Sequence, residues 1–153
     1  MIIDKTDDMA AVGRILNHPK VYRMVTDDSS PDQCTPDPEG FYVMNDAKTG
    51  VVRVDPLNGS SAMVHIATHP VLWGGARSFC MAAIEWFFLY TRYVKLVAHV
   101  PEFNRLTIKL CSDIGFKREG LLTKSFTKNW KHHDQVVFGL TKPEFIERRA
   151  LWQ

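Results

Sequence analysis

The 153-residue chain contains only three cysteines, Cys34, Cys80 and Cys111, scattered and without a Cys-x-x-Cys pair. That excludes a disulfide framework, a cysteine zinc site and a redox couple, and it suits a reducing cytoplasm. Long apolar runs are missing too. The longest, Phe79–Tyr90, is interrupted by Glu85 and falls well short of the roughly 20 residues that cross a bilayer. The start, Met1-Ile2-Ile3-Asp4-Lys5-Thr6-Asp7-Asp8, has neither a basic opening nor an apolar stretch, so no signal peptide and no membrane partner are expected. No long basic block occurs, which argues against a nucleic-acid partner. With 9 glycines and 8 prolines the chain is neither collagenous nor of low complexity.

What is present is ordinary for a globular protein: 45% hydrophobic and 24% charged residues. A chain of this length buries roughly 68–70% of its unfolded surface, so one domain over residues 1–153 is expected without staples. The net charge of +2 hides a division. Residues 1–64 hold 6 Lys/Arg against 10 Asp/Glu, a net of −4, and residues 65–153 hold 13 against 7, a net of +6. An anionic partner for the second half and an uneven scatter of surface charge both account for it.

Periodicity and breakers predict a strand at Met1–Asp4, then a helix capped by Thr6 with Met9, Val12, Ile15 and Leu16 as its stripe, ending at Asn17-His18-Pro19. Val21–Val25 reads as irregular, and Asp27–Gly40, with three prolines and four aspartates, as a surface loop. Strands follow at Phe41–Met44, Val51–Val54 and Ala62–Thr68, with the Asn58-Gly59 step as a hairpin turn. His69–Ala76 is a loop. Arg77–Tyr90 is a helix apolar nearly all round, whose Trp86-Phe87-Phe88-Leu89-Tyr90 cluster reads as core rather than as a membrane surface. Tyr93–Val100 is a strand with Val94, Leu96, Ala98 and Val100 on one face. Asn104–Ile114 is a helix with Leu106, Leu110 and Ile114 as its stripe and Gly115 at its C-cap. Strands Leu121–Phe126 and Gln135–Leu140 flank a polar turn, and a short helix ends the chain near Pro143–Ala150. This order gives an α/β fold on a sheet of mixed direction.

Two units can carry chemistry. A strand entering a helix through Gly74-Gly75-Ala76 leaves backbone N–H groups at the helix start, and with the helix dipole these make an anion site beside Arg77. A plain turn is the alternative. Asn104 opens the next helix directly after a strand, where its side chain can cap the helix or hold a ligand. Asn104, Ile108 and Cys111 lie along one stripe of that helix.

Together these units resemble the GCN5-related N-acetyltransferase (GNAT) family, over essentially the whole chain. There a Gln/Arg-x-x-Gly-x-Gly/Ala pattern after the fourth strand cradles the acetyl-CoA pyrophosphate, and the matching stretch is Val71-Leu72-Trp73-Gly74-Gly75-Ala76. The family's Asn after the fifth strand and its later Gly-Phe match Asn104, Gly115 and Phe116, and the ending from Glu119 to Leu140 is similar to the branch that acetylates protein N-termini. The resemblance implies a mostly antiparallel mixed sheet with helices on both faces and strands four and five splayed. It implies acetyl-CoA held by Val71, Trp73, Gly74, Gly75, Ala76 and Arg77, with Asn104 on the pantetheine arm and a fourth-strand N–H on the thioester oxygen. Val71 departs from the usual Gln or Arg, Trp73 is bulkier than the usual residue, and Cys111, the catalytic candidate beside His65, stands where many members carry the tyrosine that protonates the leaving thiolate.

His65 and His69 are expected on one strand face, roughly 13 Å apart, too far to share a metal. In the acetyltransferase reading His65 is the candidate base, since an imidazole of pKa about 6.5 takes a proton at neutral pH; a histidine packed in the sheet is the alternative. His69 anchors a loop, and His132-His133 sits in an exposed turn. The acidic loop Asp27–Glu39 is a candidate lid attracting a cationic amine. Two functions stay open: transfer of an acetyl group from acetyl-CoA to a primary amine of a peptide or small molecule, and a catalytically inactive assembly role resembling small tailed-phage proteins, with a protein partner.

Overall fold

The computed structural model describes residues 1–151. Its elements are β1 (Ile3–Thr6), α1 (Met9–Leu16), α2 (Pro19–Val25), β2 (Phe41–Asn45), β3 (Gly50–Pro56), β4 (Ser61–Thr68), a 3-10 helix (Pro70–Gly75), α3 (Ala76–Tyr90), β5 (Lys95–Pro101), α4 (Arg105–Ile114), β6 (Lys117–Lys128), β7 (Lys131–Thr141) and α5 (Lys142–Ala150). The sheet has seven strands in the order β1-β2-β3-β4-β5-β7-β6. Pairs β1–β2, β2–β3, β5–β7 and β6–β7 are antiparallel, whereas β4 runs parallel to β5 over Ser61–Met63 against Lys95–Val97. A parallel pair needs a long crossover, and the 3-10 helix with α3 supplies it. The mixed, mostly antiparallel sheet expected from the sequence is the one found. Contacts group the chain into two compact units, Met1–Asp55 with Val64–Thr91, and Pro56–Met63 with the chain from Arg92 onward.

In the first unit β1 runs on to Thr6, so the cap of α1 moves from Thr6 to Asp8, whose Oδ1 accepts from the Ala11 N–H at 3.0 Å. Thr6 accepts from the Asp8 N–H instead. Val21–Val25 is helical, not irregular. Pro19 ends α1 but also opens α2, where its fixed φ and missing N–H cost nothing. The Asp27–Gly40 segment carries neither helix nor strand, as expected, and is tied down by Asn17, which exchanges two hydrogen bonds with the Cys34 backbone, and by the Tyr22 hydroxyl donating to the Pro31 carbonyl.

Helices lie on both faces of this part of the sheet. Facing pairs Met44–Val51 and Val43–Val52 project to opposite sides. Tyr42, Met44 and Val51 share a core cluster with Ala11, Val12, Ile15 and Val21, so α1 and α2 cover one side. On the other, a Cβ added to Gly50 would stand 2.7–2.8 Å from the Phe79 ring, and Phe41 lies 5.8 Å from Phe87, so α3 covers it. Within the cluster on α3, Phe87 and Phe88 are core as expected, but Leu89 and Tyr90 are exposed. The β2–β3 turn is organised by Asn45, 4% exposed. Its Oδ1 accepts from the N–H groups of Thr49 and Gly50, both at 2.9 Å, and its Nδ2 donates to Thr49 Oγ1 at 2.8 Å.

In the second unit Leu96, Ala98 and Val100 of β5 face Leu140, Phe138 and Val136 of β7, all buried. Val94 lies just before β5 and is half exposed. Helix α4 has both expected caps, Asn104 at its start and Gly115 at its end with φ 115°. Its inner face is Cys111 and Ile114, while Leu106 is 76% exposed, so the expected leucine stripe is rotated. The β6–β7 hairpin is much longer than its apolar pattern predicts and turns on Asn129-Trp130, both with positive φ, the signature of a type I′ turn. His132 and His133 therefore lie on β7, not in the turn. At Asn58-Gly59 neither residue has positive φ, and Asn58 Oδ1 accepts from the N–H groups of Ser60 and Ser61 instead.

Helix α5 begins with a capping box: Thr141 Oγ1 accepts from the Glu144 N–H and Glu144 accepts from the Thr141 N–H. Thr141→Ala is expected to cost about 1 kcal/mol in a denaturant melt. The Thr141 N–H, helped by Lys117 at 3.4 Å, holds the Glu144 carboxyl below its ordinary range. A lowered folded pKa stabilises above the unfolded value and is lost as pH falls through the folded one. The Tm advantage of wild type over Glu144→Gln should thus be full at neutral pH and close as pH drops through the glutamate range; an advantage that survives at acid pH would refute the ionised cap.

Candidate active site

The segment between β4 and α3 is not an open loop. His69 lies past the end of β4, so it is not the strand partner of His65; its Nδ1 accepts from the Val71 N–H and caps the 3-10 helix. Pro70 takes the first helical position, as Pro19 does after His18, and the two imidazoles meet edge-on at 4.8 Å. Val71 is 73% exposed. Trp73 is anchored by its Nε1–H donating to the Thr68 carbonyl at 3.1 Å, with the ring half exposed.

The amides of Leu72 and Ala76 are already used, by the carbonyls of His69 and Trp73. Arg77 and Ser78 follow in the first turn of α3. No side chain caps α3 at Gly75. Nothing lies within 4 Å of the position a Gly74 Cβ would take, so a ligand can approach that backbone. Neither Gly74 nor Gly75 has a positive φ; what Gly74 offers is open space, not a turn that other residues cannot make. Arg77 is exposed on the first turn of the helix. The arrangement fits a phosphate group.

His65 is exposed on β4 and is held by Asp55, which lies on β3 rather than in a turn. Its Nε2 lies 3.0 Å from Asp55 Oδ2, and Arg53 Nε donates to the other oxygen, Oδ1, at 3.1 Å. Arg53 and Asp55 share one face of β3 by alternation. Sequence spacing does not disclose the pairing because it depends on how β3 and β4 align.

In the second unit Asn104 acts as the cap, its Oδ1 accepting from the Thr107 N–H at 3.2 Å, which leaves the Nδ2 end of the amide for a ligand. Cys111 is 7% exposed on the inner face of α4, and burial pushes its thiol up to about 12. Protonating a departing thiolate from a thiol held that high would run uphill, so the Cys111 thiol packs and keeps its proton. The nearby ring cluster is Phe103 with Phe126 and His133.

No protein-family model matches the chain. Over 72 residues, 47% of this chain, it is 33% identical to an uncharacterized N-acetyltransferase, YokL, derived from the SPbeta prophage of Bacillus subtilis; the match spans 41% of that protein's length. Mutant forms of the spermidine/spermine N-acetyltransferase SpeG from Vibrio cholerae match with TM-score 0.63 at 26% identity, covering 71% of this chain and 69% of theirs. A structure of spermidine N-acetyltransferase from Vibrio cholerae with CoA and spermine matches with TM-score 0.73 at 17% identity, over 94% of this chain and 98% of its own. The ribosomal-protein-alanine N-acetyltransferase of Brucella melitensis gives 0.70 at 16% identity, over 92% and 99%. The last two show the fold alone. With the strand order, the parallel β4–β5 pair and its helical crossover, these likenesses show that the chain has the fold of the GCN5-related N-acetyltransferases.

Proposed function

We propose that the protein is an N-acetyltransferase that moves an acetyl group from acetyl-CoA to a primary amine of a peptide or small molecule. The observation that carries this is the start of α3, with no side-chain cap at Gly75 and open space over Gly74. Acetyl-CoA supplies an acetyl group already activated as a thioester. The start of α3 at Gly74–Arg77 faces the pyrophosphate, with Val71 and Trp73 flanking it. A β4 backbone N–H faces the thioester oxygen, where negative charge grows. His65 takes a proton from the incoming ammonium group at Nδ1, since Nε2 is occupied by Asp55. Cys111 has no acid role here; a thiolate leaves without one. The acidic segment from Asp27 to Glu39 draws in a cationic acceptor.

Support comes from the N-acetyltransferase relatives and from the neighbour described with CoA and spermine. The test is thermal: a site filled at a hundred times its Kd adds about 2.7 kcal/mol, or roughly 5–11 °C in Tm for a chain this long. Acetyl-CoA and CoA should both raise Tm. No shift at millimolar ligand would defeat the enzyme reading and leave the non-catalytic assembly role.

A further inference from the structure

Arg53, Asp55 and His65 form a hydrogen-bonded row across β3 and β4 that includes the proposed base. The Asp55 carboxylate bridges: one oxygen accepts from Arg53 Nε at 3.1 Å, the other meets His65 Nε2 at 3.0 Å. Side-chain exposures are 47% for Arg53, 42% for Asp55 and 53% for His65, so the row is reachable from solvent.

A neutral imidazole carries its proton on one nitrogen and a lone pair on the other. An ionised carboxylate only accepts, so a 3.0 Å contact selects the tautomer with the proton on Nε2 and the lone pair on Nδ1. Without Asp55 both tautomers are open, and part of the population would present N–H where a base is needed. Arg53 fixes the direction in which the carboxylate points, since two oxygens held from opposite sides cannot rotate freely.

We propose that Asp55 is the positioning residue of His65: it fixes the tautomer that leaves Nδ1 ready to accept the amine's proton, and Arg53 holds it in place. The proposal rests on His65 being the base. In the step it serves, an N–H bond of the substrate ammonium breaks and an Nδ1–H bond forms. The positive charge passes to the imidazole beside the Asp55 carboxylate, and water later removes the proton. Asp55 never touches the substrate.

The test reads the tautomer directly and without turnover. Long-range proton–nitrogen NMR spectra of the intact protein at pH 8 should show His65 protonated on Nε2 in wild type and mixed in Asp55→Ala. Asp55→Glu should restore the wild-type pattern in part. In kinetics, Asp55→Ala should lower kcat by roughly 10-fold with KM for acetyl-CoA unchanged, far less than a buried triad carboxylate contributes, because these groups are half exposed. An unchanged tautomer in Asp55→Ala overturns the proposal, and so does a changed tautomer with unchanged kcat. Failure of the enzyme reading appears elsewhere, as wild-type protein that binds no acetyl-CoA. A melt of each variant reports folding separately.

Discussion

His65→Gln is expected to lower kcat by about 100-fold while leaving acetyl-CoA affinity as it is, a loss of about 2.7 kcal/mol in the barrier step. An alkyl amine has a pKa of about 10.4, so at pH 7 only about one molecule in a few thousand carries the lone pair that attacks. A base that accepts at neutral pH relieves that scarcity, and an imidazole is the side chain suited to it. Glutamine keeps a polar end that can still meet Asp55 across β3 and β4, so the local strand geometry survives. It has no site that takes a proton. Steady-state rates with saturating amine, beside a binding isotherm for acetyl-CoA, check the split between chemistry and binding. A kcat within twofold of wild type would remove His65 from the mechanism.

Asn45→Ala should destabilise the fold by about 3 kcal/mol, since burial without partners costs about 1–3 kcal/mol for each abandoned donor. In a chain of this length that is roughly 6–12 °C in Tm. Among the described residues Asn45 is the buried polar one, and its single amide serves three partners in the β2–β3 turn. The Gly50 N–H is itself buried and loses its acceptor when the side chain is cut back. The turn cannot swing out to find water, because Gly50 sits directly against the Phe79 ring. Thr49→Val, which removes one partner, should cost only about 1 kcal/mol. Chemical denaturation of both variants measures this, and an Asn45→Ala protein as stable as Thr49→Val would show that the turn relaxes freely.

Features that depend on local chemistry were legible in the sequence. Asn104 and Gly115 bracket α4 because a short polar side chain and a residue tolerant of positive φ are needed at its ends. Features decided by the fold were not. Pro19 reads as a stop, and only the structure shows that it is also a start. β6 shows little apolar alternation because almost none of it is buried, so its length was lost in what looked like polar turn residues. The site divides the same way. The Gly74-Gly75 step is visible as a pattern, whereas the 3-10 winding around it, the Asp55–His65 pair and the burial of Cys111 depend on how elements align and pack.

The same exposed strand raises a question of solubility. β6 ends the strand order, and an outer strand with open hydrogen-bonding groups is a template on which another chain can add. Its register slips between Arg118 and Gly120 and again between Leu122 and Phe126. The regular stretches left over are Lys117–Arg118, 120–122 and 126–128, none longer than three residues. Lys124, with positive φ and its N–H donated back to Asp134, sits inside the second break. A long, nearly bare border is thereby cut into lengths too short, and too rich in lysine, to seed edge-to-edge aggregation.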